Sequence, residues 1–430
     1  MYAIDWAGLL TRPARTGQNA SAAERAGRFR SLVPVVHQTV WALGITSLLT
    51  DVSSEMVASI LPMYLVMELG MRPLAFGIID GMYQGVAALV RVAAGVVSDR
   101  RSRYKEAAAT GYALSALCRV ALLAAGSAPA AIGAIVAIDR IGKGVRTAPR
   151  DALISLRSRS DQLATAFGVH RSLDAAGAML GPLVAFALLA AMPARFDVLF
   201  AVSFAVALAG LGVILLCVEP ATLERGTAQA ALQWRAAVDA AAAPQFRTIL
   251  IAGFLLGLPT ISDGFIFLSL QRQLRIGASA FPLFYVGTSL LTALFAVPMG
   301  RLADRTGRMI VLLGGHVLLA VLYVALLRPS IGPALAIASI ALLGAYYAAT
   351  DGVLTAAAAA VLPKTASGSG LSFLATATNI SRLLASVLFG LLWQRFSLQT
   401  ATSVFLAGLV VSIAIAAAVL GGRRDISRAA

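Results

Sequence analysis

Gly300-Arg301-Leu302-Ala303-Asp304-Arg305-Thr306-Gly307-Arg308 separates two long apolar stretches. Gly95-Val96-Val97-Ser98-Asp99-Arg100-Arg101-Ser102-Arg103 separates another two, 205 residues earlier. A short basic turn with a small residue at its head and an acid at its fifth position thus recurs at the same place in each half. Asp51 and Asp263, 212 residues apart, extend the match, since each is expected about two thirds of the way along its apolar stretch. Repetition at nearly half the length of a 430-residue chain predicts two copies of one unit.

Composition decides the solvent of those units. Of the residues, 59% are hydrophobic and 13% charged, too apolar for a water-soluble chain of this length. About a dozen apolar stretches are each long enough to cross a ~30 Å hydrocarbon core as a helix. The short alternating segments of a barrel are absent from the sequence. The expected fold is therefore an all-α, multi-pass membrane protein with twelve transmembrane helices in two pseudo-symmetric six-helix halves. Residues 34–218 form the first half and 248–420 the second. They are joined by a central loop over 219–247 and flanked by tails over 1–33 and 421–430. Cys118 and Cys217 lie in apolar runs and read as core residues, with neither a disulfide framework nor a metal cluster implied.

The sequence carries 35 Lys and Arg against 20 Asp and Glu, and the placement of the charge explains its sign. With the N-terminus in the cytoplasm, 21 basic residues fall in cytoplasmic segments and 6 on the opposite side. That bias is the positive-inside rule with both termini cytoplasmic, so membrane lipid and not nucleic acid is the expected partner of the basic residues. The first 33 residues carry Arg12, Arg15, Arg25, Arg28 and Arg30 without an apolar core or cleavage site, as expected of a cytoplasmic tail.

The repeated turn resembles the loop signature of the major facilitator superfamily, Gly-x-x-x-Asp-Arg-x-Gly-Arg. The second copy matches throughout and the first has Ser102 in place of glycine. Arg140-Ile141-Gly142-Lys143-Gly144 is similar to that family's fourth-span pattern. Gly177-x-x-x-Gly181-Pro182 is similar to its exporter motif, with Ala185-Phe186 where a further glycine pair is usual. The resemblance implies a carrier of a small solute in a bacterial inner membrane, working as a monomer without a cofactor. It assigns gating to Asp99, Arg100, Asp304 and Arg305. The physics of the turn agrees, because an acid beside a helix N-terminus can accept bonds from its amides and oppose its dipole.

Ionisable residues inside the spans are costly in hydrocarbon and mark the pathway or its switch. Asp51 and Glu55 lie four residues apart on one helix face. Two close acids repel as anions, which raises the affinity of one for a proton. They are the expected proton-coupling residues, with Asp263 as a third candidate. Asp139, Lys143, Arg146 and Arg150 form one stripe on the fourth span, with Arg140 and Asp151 on its shoulder. Arg140, Lys143, Arg146, His170, Asp174 and Asn379 are candidates for the substrate pathway, and Arg150 and Asp151 for gating near the cytoplasmic end. Eight acids against eight bases within the spans would permit full pairing.

No Gly-x-x-x-x-Gly-Lys-Ser/Thr run and no serine-histidine-acid pattern stands in the sequence, so an ion gradient is the expected energy source and no enzymatic chemistry is implied. Three functions stay open: proton-coupled export of a small organic compound, proton-coupled uptake or exchange of an organic anion, and a transporter-shaped sensor without flux.

Overall fold

The computed structural model describes residues 36–101, 103–126, 128–159, 162–220, 243–363 and 367–421, with the side chains of 91–101, 367–369, 420 and 421 excepted. The tails over 1–35 and 422–430, and the central loop over 221–242, lie outside the described residues. So do the side chains of Asp99 and Arg100.

The described chain is helical, without strands. In the first half α1 spans Gln38–Ala58, α2 Pro73–Arg101, α3 Tyr104–Ala124, α4 Pro129–Arg157, α5 Leu163–Ala191 and α6 Phe196–Cys217. The second half comprises α7 (Pro244–Gly257), α8 (Asp263–Leu274), α9 (Pro282–Thr306), α10 (Arg308–Leu326), α11 (Pro333–Val361), α12 (Ser367–Arg395) and α13 (Leu398–Gly421). The helices α2, α4, α7, α9 and α11 open on proline, whose missing amide is unused there and whose fixed φ suits a first turn. At α1 the His37 ring accepts from the Thr39 amide at 3.2 Å and caps the helix.

Nine of these helices are long and apolar enough to cross a membrane. The exceptions are instructive: α1 carries Asp51 and Glu55, α4 carries the charged stripe, and the seventh crossing is split into α7 and α8. A helix turned away from lipid is free to be polar, so these are the elements expected around an interior pathway.

The seventh crossing departs from the single helix that each of the twelve crossings is expected to be. It begins at Pro244, inside the expected loop, because Phe246 and Ile249 are buried in the second half. It then breaks over Leu258–Ser262. Pro259 supplies no amide, and Tyr323 of α10 fastens the break, its hydroxyl donating to the Pro259 carbonyl at 3.0 Å and accepting from the Ile261 amide at 2.6 Å. Asp263 therefore stands at the first turn of α8 rather than deep within a helix. Cys217 also differs from expectation, being exposed at the end of α6 while Cys118 is buried.

The halves meet along α2 and α12 and, separately, along α5 and α9. Gly77, Gly81 and Gly85 recur at four-residue steps on the face of α2 that touches α12. A Cβ on Gly77 would lie 2.5 Å from the Ser386 carbonyl oxygen, and one on Gly390 2.5 Å from that of Pro73. Backbone meets backbone, as is usual where membrane helices lack a hydrophobic driving force and gain from close packing. Leu74 donates its amide to Gln394 at 3.3 Å, Ser386 donates to Asp80 at 2.6 Å, and Phe76 meets Phe265 edge-on at 4.7 Å. These contacts join the beginning of α2 to the end of α12 and to α8.

Gly77→Ala is expected to destabilise the protein by about 1–3 kcal/mol through overpacking. Gly314→Ala, whose added Cβ meets nothing within 4 Å, should be neutral or slightly stabilising. Thermal unfolding in detergent checks this, and equal midpoints for the two variants would refute the close α2–α12 contact.

Candidate functional site

The charged stripe of α4 is brought inside the first half by close helix approach. Gly111 of α3 and Gly142 of α4 touch backbone to backbone: a Cβ on either would lie 2.6–2.8 Å from the other's carbonyl oxygen. At that spacing the side chains of α4 extend past α3 and into the space beside α1. Asp139 is then held between two guanidiniums, Arg119 of α3 at 3.0 Å and its own neighbour Arg140. Arg119 also donates to Ser54 of α1 at 3.0 Å, and Arg140 lies over the Tyr83 ring at 3.9 Å. Each of these three charged side chains is about 5% exposed or less, so the pairing is obligatory.

Two turns along, Arg146 donates to Ser115 at 3.0 Å, stands over the Tyr112 ring at 4.8 Å, and reaches Asp51 with a separation of 3.8 Å. Arg150 forms a forked bond to Asp151 at 2.9 and 3.1 Å, donates to Ser47 at 3.1 Å, and lies 3.8 Å from Asp174. Ser47 donates to Asp174 at 2.5 Å. The His170 ring, fully buried, is 3.8 Å from the same carboxylate, and neither ring nitrogen has a hydrogen-bond partner among the described residues. Arg171, exposed, completes the set at 3.6 Å.

The acids of α1 reach this cluster because α5 presents glycine to α1. A Cβ on Gly177 would sit 2.6 Å from the Leu48 carbonyl oxygen and 3.1 Å from the Asp51 Cβ, and one on Gly181 2.8 Å from the Glu55 Cβ. Asp51 and Asp174 consequently lie side by side. Lys143 is close enough to act electrostatically on both Asp51 and Glu55, yet neither Lys143 nor Glu55 has an ion-pair partner within 4.0 Å among the described residues.

The full pairing that the balance of acids and bases would permit is thus not what the structure has. Among the described residues Asp139 serves two arginines, Glu55 and Lys143 have no ion-pair partner within 4.0 Å, and Asp80 and Asp263 are bonded to hydroxyls of Ser386 and Tyr347, each at 2.6 Å. The sequence offers no reason to single out Ser47, Ser54, Ser115, Tyr83 or Tyr112, since hydroxyls and rings are common in packed membrane helices. Arg119, a lone charge in an otherwise apolar span, does carry a signal.

At the described turn between α9 and α10, Gly307 has φ 104°, a backbone that favours glycine, and its amide closes α9 by donating to the Ala303 carbonyl at 2.9 Å. Asp304 points outward and pairs with Arg308 at 3.9 Å instead of accepting from helix amides. It lies in the last turn of α9, where nearby amides already serve the helix. Arg305 beside it is exposed.

A cavity of about 690 Å³ lies between the halves. Its walls are Gln84 of α2, the small residues Ala175, Ala176 and Ala178 with Met179 of α5, and a polar surface from the second half. That surface includes Asp263, Tyr285, Thr288, Tyr347, Asp351 and Arg382. Arg382 donates to Asp351 at 2.9 Å. Of the residues expected to touch solute or proton, Asp263 lines this cavity. Arg140, Lys143, Arg146, His170 and Asp174 lie in the adjoining ion network, and Asn379 stands on α12 outside the lining.

Two six-helix halves, a discontinuous seventh crossing and a cavity between them define a transporter architecture, and the sequence carries the matching family profile. The model of the Major Facilitator Superfamily matches residues 43–286 and 249–428. The chain belongs to the major facilitator superfamily. An MFS-type transporter of Methanocaldococcus jannaschii is 27% identical over 389 residues, covering 87% of this chain and 92% of that protein. A Mycobacterium tuberculosis protein is 34% identical over 151 residues, 35% of this chain and 36% of its own length. Among solved structures, the nucleoside transporter NupG superposes with a TM-score of 0.73 at 15% identity, covering 89% of this chain and 99% of that one. A POT family transporter gives 0.73 at 14% identity, covering 90% and 96%. Similarity at that level establishes the shared fold. The protein is a multi-pass membrane transporter of this superfamily.

Asp139→Asn should destabilise the transporter by about 3–5 kcal/mol, because two buried guanidiniums lose their common anion. Adding Arg119→Leu should restore part of the loss by removing one of them. Melting curves of purified single and double variants decide the matter, and a wild-type midpoint for Asp139→Asn would contradict the pairing.

Proposed function

We propose that this superfamily member is a secondary transporter that exports a small organic solute in exchange for protons. The observation that carries the reading is the placement of the α1 acids. Asp51 stands beside Asp174 and 3.8 Å from Arg146, and Glu55 stands one turn away without an ion-pair partner within 4.0 Å among the described residues. Neighbouring carboxylates in a bundle surrounded by lipid repel each other unless a cation or a proton intervenes. Protonation of the Asp51/Glu55 pair would loosen its attraction to Arg146 and Lys143, and with it the α1–α4 contact.

The solute side of the cycle follows from α5. One face of that helix carries Gly177 and Gly181 against the α1 acids, and the opposite face carries Ala175, Ala176, Ala178 and Met179 on the cavity wall. A change of charge on α1 is therefore one helix diameter from the solute. Arg150, Asp151 and the basic turns containing Asp99, Arg100, Asp304 and Arg305 serve as the gate in this scheme. With the basic segments toward the cytoplasm of a bacterial inner membrane, the end joined by Leu74, Asp80 and Phe76 faces outward and the cavity would be served from within. A monomer suffices for such a cycle, since both halves come from one chain.

Uptake or exchange of an organic anion is the alternative, and Lys143 favours it as the one base of the α4 stripe without a partner within 4.0 Å among the described residues. Arg140, Arg146 and Arg150 are already matched to Asp139, Asp51 and Asp151.

Everted vesicles energised to an acidic interior provide the test, with a panel of lipophilic cations, neutral drugs and organic anions as solutes. Solute-triggered proton release is expected from the wild type and is expected to be absent from Asp51→Asn. Undiminished release from Asp51→Asn removes that residue from coupling, whereas accumulation of labelled anions by intact cells would establish the alternative.

A further inference from the structure

The cavity between the halves has a chemical character of its own, distinct from that of the basic stripe next door. Its charged lining consists of two carboxylates and one guanidinium. Arg382 is already matched to Asp351 at 2.9 Å, which leaves the wall with one negative charge in excess at Asp263. Among the described residues only one oxygen of Asp263 is engaged, accepting from Tyr347 at 2.6 Å. Asp80 of α2, outside the lining, adds to the same negative field. Thr288, 5% exposed and on this wall, has a buried hydroxyl with no hydrogen-bond partner among the described residues. The rings of Tyr285 and Tyr347 also form part of the lining. A free carboxylate oxygen and hydroxyl acceptors suit a group rich in N–H donors, and tyrosine faces attract a cation. The facing wall of Ala175, Ala176, Ala178 and Met179 offers only apolar surface. A volume of about 690 Å³ suits a drug-sized molecule.

Resting on the transport reading above, we propose that this cavity is a binding site for an organic amine in its ammonium form. Asp263 is the counter-charge, Thr288 and the tyrosines are the hydrogen-bonding and aromatic wall, and the α5 alanines are the surface for an apolar body. The site selects by sign of charge. An amine is accepted, a neutral analogue of the same shape is held weakly, and a carboxylate is repelled by Asp263 and finds Arg382 occupied.

Three probes of one shape separate these cases: 4-phenylbutylamine, 4-phenylbutanol and 4-phenylbutanoate. Radiolabelled 4-phenylbutylamine is bound to the full-length protein in lipid nanodiscs at neutral pH, with the other two as competitors. The amine is expected to bind, and tenfold excesses of alcohol or carboxylate are expected to leave it bound. Asp263→Asn should weaken binding by about tenfold or more, as the loss of a charge-assisted hydrogen bond implies, and Asp263→Glu should retain most of it. Because Asp263 also opens α8, Asp351→Asn supplies a second variant at an exposed side chain. It frees Arg382 and cancels the excess negative charge, so several-fold weakening is expected. Effective competition by the carboxylate or alcohol, wild-type affinity in both Asn variants, or binding of none of the three probes at millimolar concentration overturns the assignment. Amine binding without proton release in vesicles leaves the site standing and removes the exchange mechanism. Proton release driven by 4-phenylbutanoate does the reverse.

Discussion

A charge buried almost completely inside a bilayer must have a partner, and Asp139 between Arg119 and Arg140 shows how far that requirement shapes this transporter. The three groups are buried almost completely, and any one of them alone would be intolerable there. Their pairing fixes α3 and α4 relative to each other, and the Arg119 bond to Ser54 carries the constraint to α1. The next two turns of α4 repeat the arrangement with a looser grip: Arg146 and Asp51 are 3.8 Å apart, and Lys143 and Glu55 have no ion-pair partner within 4.0 Å among the described residues. Tight pairing holds the half together, and loose pairing beside it leaves room for charge to change.

Such a network exists only because helices approach more closely than ordinary side chains permit. Gly111 against Gly142, Gly177 against Leu48 and Gly181 against Val52 bring backbones together in the first half. Gly77 and Gly390 do the same between the halves. Without much hydrophobic gain from burying one apolar helix on another in lipid, packing and interhelical polar bonds supply the association. The glycines thus determine which polar groups can meet, and the same residues set the surfaces along which the halves can move.

The two halves, although repeats of one plan, have diverged in chemistry. The first buries a dense ion network around α1, α4 and α5. The second keeps a hydroxyl-lined surface with Asp263, Asp351 and Arg382, at the break that Tyr323 stabilises between α7 and α8. Broken crossings in membrane proteins place unpaired backbone and helix ends beside a cavity and away from lipid, and Asp263 at the start of α8 follows that rule.

Periodicity and burial cost act along the chain, so the sequence alone was sufficient for the helical class, the repeat of two halves, the superfamily and the stripe of α4. Each rests on residues that announce themselves locally: a run of apolar residues, a turn with Gly307, or an acid such as Asp51 where hydrocarbon should be. Which acid meets which base depends on distances between helices far apart in sequence, and one helix face can turn toward several neighbours. Hence the tertiary structure decided that Asp139 takes two arginines while Glu55 and Lys143 take none, and that the cavity borders Asp263 rather than Arg140 or Arg146. It also decided that the seventh crossing breaks, since Pro259 marks a weak point but only Tyr323, 64 residues away, satisfies the backbone exposed there.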